Sequence, residues 1–163
     1  MTTTSTAPDF ELTSTEGKTV KLYPITAMWP VLLVFFRSRG EACERIMPMI
    51  ADFERTYRGA DLEILAISQD SRAEARDRLA ELGWGGRILI EAPPYSVSKS
   101  FGVTELPALV LIGPDNQVLA AAQGADEFGM NSVGRAVAEL TNWTYRPVVG
   151  EQLEDLEAVP SRS

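Results

Sequence analysis

Six consecutive apolar residues, Val31-Leu32-Leu33-Val34-Phe35-Phe36, stand just ahead of a charged stretch and a helical repeat. A run so rich in β-branched and aromatic side chains has no wet face, so it suits a central strand covered on both sides. From Cys43 to Tyr57, the residues Ile46, Met49, Ile50, Phe53 and Tyr57 recur at helical spacing. Pro48 lies inside that pattern and predicts a kink, because it removes a donor and crowds the preceding turn. A buried strand feeding a helix is the building unit of an α/β sheet. It obliges the rest of the chain to supply more strands and helices for both faces.

The chain supplies them. Phe10 and Leu12, then Val20 and Leu22, alternate around a turn containing Gly17, which predicts a short hairpin. Leu62 to Ile67 reads as a second buried strand. Asp70 or Ser71 caps a helix running to about Leu82, with mixed charges on its wet face. Ile88 to Ile90 is a third strand, and Tyr95 to Phe101 a short helix stopped by Gly102. Ala108 to Ile112 and Gln117 to Ala122 are two strands joined by Gly113-Pro114-Asp115-Asn116. Asn131 to Leu140 is the last helix, and the pattern fades from Trp143 onward. The first strands should be parallel and the final hairpin antiparallel. Trp29 and Trp84 are expected to pack at the margins of the core.

Composition narrows the chemistry. The 163 residues carry a net charge of −8, one cysteine and no histidine. An acidic chain with no basic run is a poor partner for nucleic acid or anionic membrane surfaces. One cysteine excludes an internal disulfide and an internal dithiol cycle, and favours a reducing compartment. The absence of histidine removes His-based triads and the common zinc sites; no metal and no cofactor is expected. Residues 1–8 lack the basic and apolar regions of a signal peptide. The longest apolar run is far too short to span a bilayer. Together these point to a cytoplasmic protein.

The segment from Val34 to Pro48 resembles the active-site segment of bacterial thioredoxin-like reductases and redoxins. There a central strand runs into Cys-x-x-Cys and a helix with Met-Pro one turn on. Gly40 stands at the first cysteine position, and Cys43 at the second. Ala7-Pro8-Asp9-Phe10-Glu11-Leu12 matches the usual redoxin opening. Phe101 to Ile112 matches the segment that carries the fold's cis-proline, which falls at Pro107. The resemblance, to peroxiredoxin-like AhpC/TSA and TlpA-like proteins, implies a thioredoxin fold: a central mixed sheet flanked by helices, extended by an N-terminal β-hairpin. Residues 1–6 then read as a flexible arm, 7–142 as the domain, and 143–163 as an acidic C-terminal tail.

The resemblance also implies roles. A cysteine at a helix N-terminus meets free N–H groups and the positive dipole end, which favour thiolate. The first cysteine attacks a target disulfide and the second resolves the product; Cys43 alone cannot do both. Peroxiredoxins need only one cysteine, at the position of Cys43. They have a Thr or Ser where this chain has Gly40, and an arginine at about the position of Pro107. Arg37 or Arg39 is a candidate replacement for that charge, whereas Glu41 and Glu44 oppose a thiolate.

Three readings stay open. The first is a thiol-dependent oxidoreductase working through Cys43 on peroxide or disulfide, with a low thiol pKa and an external thiol or thioredoxin-like protein as reductant. The second is a binding module that docks an extended peptide at Leu106 and Ala108 beside Pro107. The third is a Cys-x-x-Cys enzyme in which Gly40 is a local replacement, natural or engineered. Oligomeric state is left open, a dimer included.

Overall fold

The computed structural model describes residues 5–150 of the chain. β1 (Glu11–Ser14) and β2 (Thr19–Lys21) form the hairpin, with Gly17 at φ +84° in its turn. A short helix, α1 (Leu22–Thr26), leads to the central strand β3 (Val31–Phe36). There follow α2 (Glu41–Tyr57), β4 (Glu63–Ser68), α3 (Arg72–Glu81), β5 (Arg87–Ile90) and α4 (Ser96–Ser100). β6 (Ala108–Ile112), a 3₁₀ turn at Pro114–Asn116, β7 (Val118–Gln123) and α5 (Glu127–Thr141) complete the order.

The seven strands form one mixed sheet, ordered β2-β1-β5-β4-β3-β6-β7. β3 pairs in parallel with β4, and β4 with β5, across the crossovers made by α2 and α3. β6 returns antiparallel to β3, and β7 to β6. The hairpin extends the sheet by pairing β1 antiparallel to β5.

β3 behaves as its composition requires. Leu32, Val34 and Phe36 enter the core on one face, with residues of α2, α3 and α5. Val31, Leu33 and Phe35 enter the core on the other, with Phe10, Leu22 and Val97. Each such fully buried side chain contributes about 1.5–3 kcal/mol, which pins the strand's height and register. That in turn fixes where β3 ends and where the chain turns into α2.

α2 contains Pro48 and continues on both sides of it. Several expectations are corrected. α1 was not expected; five residues holding Pro24 leave no helical period to read. Ser71, not Asp70, caps α3, in a reciprocal capping box with Glu74. Trp84 is buried, but Trp29 is 42 % exposed, next to an exposed Met28. The arm was expected to be loose to residue 6, yet Thr6 bridges Gln117 and the Ser5 carbonyl accepts from Val118 N–H. Residues 1–4 lie outside the described residues.

The boundary expected at 142 is also moved by packing. Val148 and Val149 are buried against the α2 and α5 face. The Asn131 side-chain amide donates to the Val149 carbonyl and accepts from Val149 N–H. The Tyr57 hydroxyl donates to the Thr144 carbonyl and accepts from Arg146 N–H. Packing therefore continues past 142 at least to Val149, and the rest of the expected acidic tail, 151–163, lies outside the described residues. No helix among the described residues is long and apolar enough to cross a membrane.

Candidate functional site

The carboxyl ends of adjacent parallel strands are where an open α/β sheet leaves a crevice. Here β3 ends at Phe36 and β4 at Ser68, opposite one another in the register. The antiparallel pairing of β6 sets Phe35 against Ala108, which brings Leu106 and Pro107 to the same end of the sheet. The Leu106–Pro107 bond is cis. Between these ends lies a cleft of about 370 Å³, lined by Arg37, Arg39, Gly40, Cys43, Gln69 and Leu106, among others.

Cys43 occupies the first turn of α2 at the floor of the cleft, and it is 3 % exposed. Burial pushes its thiol above the ordinary value, and this is the largest influence. A hydrogen bond from the Arg37 main chain opposes burial, followed by the Arg37 guanidinium charge. The Asp70 carboxylate raises the thiol further, and Arg78 lowers it. The helix N-terminus therefore does not deliver the low thiol pKa that its position suggests. Asp70, not exposed Glu41 and Glu44, is the carboxylate felt by the sulfur.

Gly40 has φ +107° and ψ 138° as the residue preceding α2. Only glycine adopts such a conformation without strain. The Arg37 guanidinium lies directly over it. A Cβ at position 40 would sit 3.5 Å from Arg37 Nε and 3.6 Å from Nη2. The same Nε donates to the Arg39 carbonyl at 3.2 Å, closing the loop on itself. Space for a side chain exists at 40, but the backbone there is shaped for none. We expect Gly40→Ala to lose about 1–3 kcal/mol, read as a lower denaturant midpoint with an unchanged m-value; an equally stable variant would contradict the assigned backbone. Gly40→Cys carries the same strain, so reinstating a first cysteine is not a simple restoration.

Asp70 is the structural knot behind the cleft. Its Oδ2 accepts from Ser38 N–H at 2.7 Å, from the Ser38 hydroxyl at 2.8 Å and from the Ser68 hydroxyl at 2.9 Å. These bonds tie the loop between β3 and α2 to the end of β4. Gln69 is held at the cleft wall by donating its main-chain N–H to Phe36 and its side-chain amide to Ser98. On the far wall, Gln123 accepts from the N–H groups of Thr104 and Glu105. Asp70 and Thr104 fell in stretches that resemble the redoxin family without being singled out for this site, and Gln69 and Gln123 carried no sequence signal for it.

Of the residues expected from the sequence, Cys43, Gly40, Arg37, Arg39 and Leu106 meet in the cleft. Pro107 is buried directly behind Leu106. Ala108 does not join them. It is 1 % exposed, and its main chain is flanked by Phe35 on one side and Gln123 on the other. A docked peptide needs an unpaired edge, which leaves Leu106 rather than Ala108 to offer one.

Residues 3–121 match the AhpC/TSA family. The chain belongs to this family. Among similar proteins, the thiol-disulfide oxidoreductase ResA of Bacillus subtilis is 25 % identical over 121 residues, covering 74 % of this chain and 66 % of that protein. Human nucleoredoxin-like protein 1 is 31 % identical over 147 residues, covering 82 % of this chain and 67 % of its own length. The chain thus spans about two thirds of the length of these relatives. The thioredoxin domain of a thiol-disulfide oxidoreductase from Bacteroides vulgatus superposes with a TM-score of 0.71 at 17 % identity, covering 87 % of this chain and 99 % of that one. The thioredoxin fold expected from the sequence is therefore the fold of this AhpC/TSA member.

Proposed function

We propose that this AhpC/TSA domain is a monothiol exchanger of the thiol-disulfide oxidoreductase class, acting through Cys43 on disulfides presented in the cleft. The observation that carries the reading is the position of the sulfur. Cys43 lies in the first turn of α2 and lines one cleft with Arg37 and Leu106. The Cys43 thiolate attacks one sulfur of the bound disulfide; that S–S bond breaks, and the departing thiolate takes up a proton. Cys43 is oxidised to a mixed disulfide while half of the substrate is reduced. An external thiolate, low-molecular-weight or carried by a thioredoxin-like protein, then attacks the substrate-derived sulfur of the mixed disulfide, forms a new disulfide with that half and releases Cys43 as the leaving thiolate. This cycle needs no second cysteine in the chain, and it runs in a reducing compartment.

Peroxide is a poorer substrate on this reading. Gly40 offers no hydroxyl to a bound peroxide, whereas the raised thiol pKa slows attack on peroxide and disulfide alike. We expect the second-order rate with hydrogen peroxide at pH 7 to be no faster than that of a free cysteine. A dimedone-trapped sulfenic acid forming faster than that would favour peroxidase chemistry.

The 3 % exposure of Cys43 favours a second reading, in which the cleft binds a partner without exchange. Mass spectrometry of folded protein incubated with a small disulfide, at pH values where the fold is intact, separates the two. Exchange gives one adduct on Cys43 that an added thiol removes. Binding alone gives an adduct only after unfolding.

A further inference from the structure

The geometry points to a substrate that carries negative charge beside its disulfide, recognised by Arg37 and Arg39 at the mouth of the cleft. This rests on the exchange reading and adds the chemical class of what is exchanged. Both arginines are exposed and line the cleft. Arg37 spends one N–H on the Arg39 carbonyl, and neither guanidinium has an ion-pair partner among the described residues. Arginines elsewhere on the described surface are mostly engaged: Arg55 with Asp52, Arg58 with Glu54, Arg76 with Asp77, Arg87 with Glu63.

Two guanidinium groups left unpaired by carboxylates stand out in a chain of net charge −8. Glu41 also lines the cleft, so its charge balance is positive but not extreme. The adjoining surface beside Arg39 adds Arg78 and Glu44, one of each sign, with Arg78 3.5 Å from Glu81. Because the Debye length is about 8 Å in physiological salt, a ligand at the mouth feels these neighbours and not the remote acidic surface. Guanidinium is the cation whose forked donors fit a carboxylate. A small disulfide with terminal carboxylates can place its sulfurs over Cys43 and its charges on the arginines.

Three small symmetric disulfides differing mainly in charge test this: dithiodipropionate (anionic), hydroxyethyl disulfide (neutral) and cystamine (cationic). Adduct formation on Cys43 is timed by mass spectrometry, each rate divided by that for a small neutral thiol to remove intrinsic reactivity. We expect a normalised preference of about tenfold or more for the anionic over the cationic reagent. It should shrink towards unity in the Arg37→Gln, Arg39→Gln double variant and in high salt. Equal normalised rates, or a preference unchanged by the double variant, would overturn the inference and leave exchange intact.

Should none of the three modify folded Cys43, the exchange reading fails instead. The charge inference is then decided by calorimetry with thiodipropionate, the unreactive thioether. Binding that the double variant loses upholds an anion-recognising cleft; no binding by the parent protein overturns it.

Discussion

Modification of Cys43 by a neutral disulfide should speed up steeply between pH 7 and 9, by close to tenfold for each pH unit while the pH stays well below the thiol pKa, because only the thiolate attacks and its fraction grows in that proportion there. An ordinary thiol has begun to level off by pH 9. Cys43 should level off at higher pH, since burial pushes its pKa above the ordinary value. Arg37→Gln removes a charge that favours the thiolate and should move the profile to still higher pH. Timed quenching followed by intact-mass analysis gives the profile, with circular dichroism confirming the fold at each pH. A plateau below pH 8 would show that the sulfur is not desolvated as the fold implies. Stability carries the same signature. In the folded state the thiol keeps its proton after the unfolded chain has lost it, so the fold weakens as pH rises through the ordinary thiol value. Cys43→Ala should remove that component of the alkaline loss.

Asp70→Ala should be the most damaging polar substitution near the cleft. It takes the acceptor from three donors at once: Ser38 N–H, the Ser38 hydroxyl and the Ser68 hydroxyl. Hydrogen bonds to a charged acceptor are worth about 1.5–3 kcal/mol each when well formed. Asp70 is half-buried and water can replace part of the set, so a loss of about 2–3 kcal/mol is expected from urea denaturation. Asp70→Asn keeps a carbonyl acceptor and should lose less. A merely structural role would stop there. Asp70 also raises the Cys43 thiol pKa through its charge, so Asp70→Asn should shift the exchange profile to lower pH and accelerate modification at pH 7. An Asn variant that is destabilised but keeps the parental pH profile would confine Asp70 to holding the loop.

The fold was legible because its signals are local. The apolar runs of β3, β4 and β6 need no tertiary information to be read as strands, and the helical spacing of α2 follows directly behind the first. Cys43 and Arg37 were legible for the same reason, lying in the one segment where strand passes into helix. What was hidden depends on approach through space. Val148 and Val149 are two apolar residues in a polar stretch, and their burial depends on the distant α2 and α5 face and on the Asn131 amide that holds the Val149 main chain. The Asp70 knot joins positions 32 residues apart. Ala108 was misplaced because the sequence cannot tell that its main chain is paired on both sides. Glu41 and Glu44 were given weight by adjacency along the chain, whereas the sulfur responds to Asp70 across the sheet end.

The central claim is that Cys43, though shielded, is a working thiol of the folded cleft. The most direct measurement is the rate of mixed-disulfide formation per thiolate, taken from the high-pH limit of the profile and compared with a small neutral thiol and with the urea-unfolded chain. The account predicts that the folded protein matches or exceeds both references once the thiolate fraction is divided out. A folded rate orders of magnitude below the unfolded chain at every pH, reached only through global unfolding, would contradict it and make Cys43 a packing residue.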